Sequence, residues 1–275
     1  WIHPWFCLLI AISTVVDYFC GLALRKWPHW KRTSLFVSLA VNLGMLCLFK
    51  YFNFFAENIQ ALAAQFSLEL HPITLRLYLP AGISFYTFQT LSYTIDIYRG
   101  KLEPRRNFID FALFVSLFPQ LVAGPIERAV RLLPQIEKER TWSFDLLSSA
   151  LPLLVMGYLK KVVIADNVAP YADRVFMLET PSLFLLFAGT LAFTLQIYAD
   201  FSGYTDIARG SARLFGFTLM ENFKSPYLAI TPSDFWRRWH ISFSSWIRDY
   251  VYIPLGGSRV DSSIVFLGVL LLSFG

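Results

Sequence analysis

The sequence predicts an all-α protein: a polytopic bundle of membrane helices, with re-entrant or interfacial helices set around a tunnel. Three observations carry that expectation. The chain is 56% hydrophobic and only 16% charged over 275 residues, with 27 phenylalanines, whereas soluble domains carry about 25% charged residues. Its mean hydropathy is +0.50, and the apolar residues gather into runs long enough to cross a bilayer core of about 30 Å. Basic residues collect in short loops between those runs, the pattern that orients membrane proteins. The net charge of +5 is too small and too scattered for a phosphate-backbone footprint, so nucleic acid is not an expected partner.

The runs lie at 5–24, 33–52, 77–98, 108–126, 144–165 and 180–200, and a last one starts near Ser262. Residues 180–199 carry one charge-free stretch after Glu179, the cleanest spanning helix. "RKWPHWKR" (25–32) and "RGKLEPRR" (99–106) are strongly basic, which places both loops in the cytoplasm and 50–71 outside. Within "FPQLVAGPIERAVRLLPQIEKER" (118–140), Pro119, Gly124 and Pro125 break the helix and a charged stretch follows. Broken backbone is tolerated at membrane depth where it is buried in protein or lines a watery cavity, which is the origin of the tunnel expectation. No repeat at a fixed period interrupts the chain, so one continuous membrane domain over 1–275 is expected.

Polar side chains inside apolar runs mark interior surfaces. They are Asp17, Asn42 and Asp96 in the first three runs, with Asp200 and Asp206 beside the sixth. "YADFSGYTDIARG" (198–210) is the densest group. Tyr198, Asp200 and Asp206 read as the polar wall of the tunnel, with helix-end capping by Asp200 and Ser202 as the plainer alternative. Cys7, Cys20 and Cys47 sit in apolar runs and read as small buried hydrophobes. No Cys/His spacing calls for a metal. The chain opens on Trp with no charged n-region, so its true N-terminus is expected to lie upstream.

The stretch 231–257, "TPSDFWRRWHISFSSWIRDYVYIPLGG", reads as a helix over 231–250. Thr231 can cap it, Pro232 suits the first helical position, and Asp234 resembles the acid of a capping box. At helical spacing Trp236, Trp239, His240, Phe243, Trp246, Ile247 and Tyr250 share one face. Arg237, Arg238 and Arg248 lie on the other sides. An interfacial anchor helix would use the same pattern, with aromatic rings at headgroup level and arginines reaching phosphates. The sharper reading places His240 on a reaction pathway with the arginines holding an anion, since a planar guanidinium offers several donors. Pattern alone leaves both open.

The stretch "SDFWRRWHISFSSWIRDYVYIPLGG" resembles the signature of the membrane-bound O-acyltransferase family, in its bacterial alginate O-acetyltransferase-like branch. "LPAGISFYTFQTLSYTIDIYRG" (79–100), "FPQLVAGPIER" (118–128), "YADFSGYTDIARG" and "MENFKSPY" (220–227) extend the resemblance in family order. It implies a helical membrane bundle around a tunnel, in the bacterial inner membrane. There an acetyl group passes from a cytoplasmic donor, acetyl-CoA, towards hydroxyls of an exported polysaccharide. It further implies a periplasmic acetyl-handling partner protein, the surrounding membrane lipids, and no resident cofactor beyond the donor substrate. His240 matches the histidine of the WRRWH motif, which implies a catalytic or supporting part. The family's principal histidine lies in a later "LWHG"-type motif that this sequence does not contain. Residues 1–275 are therefore expected to be a domain truncated at both ends and inactive alone.

His3, His29 and His71 sit in unpromising contexts. A hydroxyl is a poor nucleophile until a base takes its proton, and His suits that near neutral pH. An anionic donor needs cations, and Lys224, Arg237, Arg238 and Arg248 are the candidates. Lys160 and Lys161 form a further basic pair that membrane orientation explains equally well. The competing readings are a transporter or channel using the same cavity, and an assembly subunit of a polysaccharide export complex. A transporter would more naturally show inverted repeats with paired broken helices, which the sequence lacks.

Overall fold

The computed structural model describes residues 5–66, 68, 75, 77–121 and 124–257. His3, His71 and the apolar run starting near Ser262 fall outside them. All regular structure among the described residues is helical. Four helices are long and apolar enough to cross a membrane: Phe6–Lys26, Pro28–Gln65, Phe144–Phe176 and Leu183–Leu214. The chain divides into two compact units, 1–116 with 128–133, and 117–127 with 134–275.

In the first unit, α1 (Trp5–Lys26), α2 (Lys31–Leu46) and α4 (Ile83–Tyr98) pack against one another. A π-helical turn, Cys47–Tyr51, carries α2 into α3 (Phe52–Gln65). The helix thus continues where the sequence pointed to a loop after residue 52. No Gly or Pro interrupts "FNFFAENIQALAAQ", so nothing stops it. The run at 77–98 becomes helical only from Ile83, because Pro80 and a left-handed Gly82 (φ 76°) precede it.

The polar residues flagged inside α1 and α2 meet in one buried seam. Ser38 donates to Asp17 Oδ1 at 2.5 Å, and the Asn42 amide donates to Asp17 Oδ2 at 2.9 Å. Thr94 of α4 donates to Asp17 Oδ1 at 3.4 Å, and Ser13 donates to Asn42 Oδ1 at 2.6 Å. Asp17, Ser38, Asn42 and Thr94 are fully buried. Three helices are therefore tied through donors that answer one carboxylate, as a buried charge requires. Tyr93 of α4 and Phe111 of α5 (Phe108–Ser116) pack with ring centroids 4.4 Å apart, tilted at 40°.

In the second unit, α6 is a single turn, Phe118–Leu121. A Cβ on Gly124 would stand 2.3 Å from Gln120 Cα, so only glycine fits the break that follows. Then α7 (Ala129–Glu137) follows in the chain, with Pro134 inside it. Next comes α8 (Phe144–Tyr158), capped by Ser143, whose side chain accepts from Leu146 N–H. It passes through a π-helical segment, Leu159–Ala165, into α9 (Asp166–Phe176).

The long helix α10 (Leu183–Leu214), capped by Ser182, packs along all three of these segments. Small residues let the backbones approach, as in membrane helix pairs. Gly189 meets Val175, Gly203 meets Gly157, and Gly210 meets Leu154. Leu183, Phe184, Phe187 and Leu191 point outward and exposed, a surface that suits lipid. The sequence expected the helix to end near 200. Instead 198–210 lies wholly inside α10, so Asp200 and Ser202 do not cap a helix end.

Candidate active site

The predicted helix over 231–250 is two helices. Thr231 caps α11 (Pro232–Arg238), its hydroxyl accepting from Asp234 N–H at 3.1 Å, with Pro232 in the first turn. The helix stops at Trp239, and α12 (Ile241–Ile247) begins after His240. A π-helical turn, Arg248–Tyr252, follows. The break is physical: His240 is left-handed, with φ 43° and ψ 54°. Such a conformation costs a residue with a Cβ about 1–2 kcal/mol. Among the described residues, only Ser225 shares a positive φ without being glycine, and both lie in this site.

The compensation is local. The Asn222 carbonyl accepts from Ile241 N–H at 3.0 Å, and its side-chain Oδ1 accepts from Ser242 N–H at 3.1 Å. The Ser242 hydroxyl in turn accepts from Ile126 N–H at 3.0 Å. The Lys224 N–H donates to the Arg238 carbonyl at 2.9 Å. Asn222 is fully buried and Ser242 nearly so. The segment 217–224 is itself tied down, with Gln135 accepting from Thr218 N–H at 2.8 Å and Glu127 accepting from Met220 N–H. Asn222, Ser242 and Glu127 lie inside the motifs noted above but were not singled out from sequence. Their signal was a polar residue inside a long apolar motif, and nothing in the spacing said which backbone they would hold.

Breaking the helix also breaks the single aromatic stripe. Trp239 stacks on Phe235 at 5.5 Å and meets Phe223 edge-on at 5.0 Å. The His240 ring stands edge-on to Phe201 of α10 at 4.7 Å and stacks with Phe243 at 5.2 Å. Trp246 pairs separately with Tyr250 at 5.1 Å. Trp236 is half exposed and meets Phe235 edge-on at 5.5 Å. His240 keeps a partly exposed edge, but its Nε2 is buried. Burial among rings pushes its pKa down from 6.5 to about 4, so it stands as a neutral imidazole.

The expected tunnel-wall residues separate. Tyr198 faces the aromatic cluster, 5.9 Å from Phe223 and 6.3 Å from Trp239. Asp200 pairs with Lys161 at 2.7 Å, and Asp206 pairs with Lys160 at 2.6 Å and Arg209 at 3.2 Å. The π-helical segment before α9 lets two successive lysines each reach an aspartate of α10. Charges inside candidate spans pair in this way.

The cations also spread. Arg238 is held by Asp234 at 3.0 Å, and its guanidinium keeps that carboxyl below its usual range. Lys224 is exposed, 3.9 Å from Glu221. Arg237 is exposed. Arg248 lies beyond the far end of α12, about 12 Å of helix from His240, and pairs with Asp249 at 2.7 Å. Lys224 and Arg238 are thus joined by the backbone, and Arg248 stands apart along the chain.

If Asn222 holds the turn, Asn222→Ala should loosen it. Removing a buried partner costs about 1–3 kcal/mol. The expected result is a lower melting temperature together with altered reactivity of His240 towards an imidazole-modifying reagent. An unchanged His240 reactivity would show that the turn holds itself.

The profile of the MBOAT, membrane-bound O-acyltransferase family matches residues 1–274. The chain is similar to a protein of Pseudomonas putida named probable alginate O-acetylase AlgI, 44% identical over 94% of this chain and 54% of that protein. It is 42% identical to the same-named protein of Pseudomonas aeruginosa, over 94% of this chain and 50% of the relative. A peptidoglycan O-acetyltransferase of Helicobacter pylori is 37% identical over 96% of this chain and 55% of its own length. The chain spans about half the length of these curated relatives. The left-handed histidine turn and the matched motifs thus occur together in a chain that belongs to the membrane-bound O-acyltransferase family.

Proposed function

We propose that this chain forms the part of a membrane O-acyltransferase that holds the His240 turn, acting on hydroxyls of an exported polysaccharide of the alginate kind. The observation that carries the reading is His240 itself: a left-handed, non-glycine residue clamped by Asn222, with its imidazole neutral among aromatic rings. Backbone strain of this kind clusters at functional sites. The donor is acetyl-CoA on the cytoplasmic side, with a periplasmic partner completing delivery and the bacterial inner membrane as the location. In the transfer, the acceptor hydroxyl gives its proton to a base as its oxygen bonds the acetyl carbon. The carbon–sulfur bond breaks, and the CoA thiolate leaves and takes up a proton. His240 accepts a hydrogen bond from the hydroxyl or the proton itself.

The test is ester formation. The complete gene product, reconstituted with labelled acetyl-CoA, the partner and the polymer, should form acetyl esters. Passage of unmodified polymer without ester formation would overturn the reading in favour of a transporter.

Lys224, Arg237, Arg238 and Arg248 are the proposed contacts for the donor's phosphates. Neutralising each should raise the KM for acetyl-CoA several-fold while leaving the acceptor KM in place, with Arg248 the weakest because it stands apart. An unchanged donor KM in all four would leave these residues as interfacial anchors.

Orientation follows from the basic loops. In a cysteine-free background, a cysteine at position 57 should label from outside and one at position 101 should not. The reverse pattern would invert the topology.

A further inference from the structure

We propose that the groove where the end of α1 meets the start of α2 binds an anionic phospholipid, with its phosphate at the loop and its acyl chains along the helices. The groove holds about 760 Å³, within the usual size of ligand pockets. Its floor is apolar, built on Phe19 and Leu22 of α1 and Val37 of α2. Its rim is polar and cationic, with Lys26, His29 and Thr33. The two surfaces are stacked along the helix axes, because the helical turn Pro28–Trp30 joins α1 to α2 at one end.

Charge complementarity selects the occupant. The stretch 25–32 carries Arg25, Lys26, Lys31 and Arg32 and no acid. Arg25 pairs with Glu103, and Lys31 lies 5.0 Å over the Tyr98 ring. Lys26 lies 5.1 Å over the Trp27 ring and is exposed at the groove. A cation resting on an indole at headgroup level, beside hydroxyl donors, suits a phosphate monoanion. A soluble phosphate would use the rim and leave the apolar floor wet. A zwitterionic lipid would fill the floor but bring its own cation to the rim. An anionic phospholipid satisfies both surfaces, and juxtamembrane basic residues attract such lipids. The inference stands apart from the proposed reaction.

The indoles supply the readout. Trp27 and Trp30 line the groove and are 47% and 55% exposed. The protein is placed in nanodiscs holding phosphatidylglycerol and phosphatidylcholine at equal fractions, with bromine on the chains of one or the other. The signal of Trp27 and Trp30 is the difference from a Trp27→Phe/Trp30→Phe variant. Brominated phosphatidylglycerol should quench that signal several-fold more than brominated phosphatidylcholine. Lys26→Gln, at an exposed position, should cut the preference by about fivefold, and Lys26→Arg should keep it. Equal quenching by the two lipids would overturn the proposal. So would loss of the preference on adding millimolar inorganic phosphate, which would mark a soluble-anion site instead.

Discussion

Gly203→Leu is expected to abolish stable folding of the second unit. A Cβ at position 203 would stand 2.9 Å from the carbonyl oxygen of Gly157 and 3.0 Å from the Lys161 nitrogen. Both obstacles are backbone, so no side-chain rotation makes room. Gly157 faces the same contact, with a built Cβ 2.8 Å from the Ile207 nitrogen. Overpacking a close helix pair costs about 1–3 kcal/mol when side chains can shift, and here the helices themselves must separate. Separation would also pull Lys160 and Lys161 from Asp206 and Asp200, leaving charges unpaired in apolar surroundings. The checks are yield of monodisperse protein in detergent and its melting temperature. Wild-type values for Gly203→Leu would show that α8 and α10 do not touch at these glycines.

Much of the helical framework was legible because composition and run length report burial in lipid directly. Asp17 and Asn42 were marked as interior from sequence, and they meet across α1 and α2. Their partners Ser38 and Thr94 gave no sign, since a hydroxyl can satisfy itself on its own helix backbone. Helix ends were read less well. Hydropathy falls where charges begin, yet a helix persists while nothing breaks it, so α10 ran on through Asp200 and Asp206. Those aspartates found lysines on a neighbouring helix, which no local pattern encodes. The reverse error occurred at 231–250. Periodicity there favoured one helix, and the break came from a distant strand of sequence, Asn222, capturing the N–H groups of Ile241 and Ser242. Long-range hydrogen bonds overrode local propensity at the residue proposed to serve the transfer. The family motifs pointed to that residue, while its backbone conformation could not be read from sequence.

The consequence for chemistry concerns protonation. Burial holds His240 near pKa 4 against 6.5 for a free imidazole. As pH falls, the unfolded chain takes the proton first. The stability supplied by the neutral ring is therefore complete above about pH 6.5 and is lost as pH falls towards 4. For turnover the same shift means that His240 stays able to accept a hydrogen bond through the range where an ordinary histidine would switch off. No loss of rate with a midpoint near 6.5 should trace to this residue. A base this weak gives less driving force for full proton removal at neutral pH, so in the proposed reaction positioning of the hydroxyl is the larger part of the contribution expected of His240.

The most direct measurement compares the complete gene product with its His240→Ala and His240→Gln variants, by initial rate of labelled acetyl transfer from acetyl-CoA, normalised to folded protein. A positioned acid–base group contributes about 10²–10⁴-fold, and a positioning role alone should still be worth tenfold. The expected result is a fall of about tenfold or more per folded molecule in His240→Ala with expression intact, and partial recovery in His240→Gln, whose amide can still accept a hydrogen bond. Wild-type rates in both variants would make His240 an ordinary member of the aromatic cluster and contradict the account.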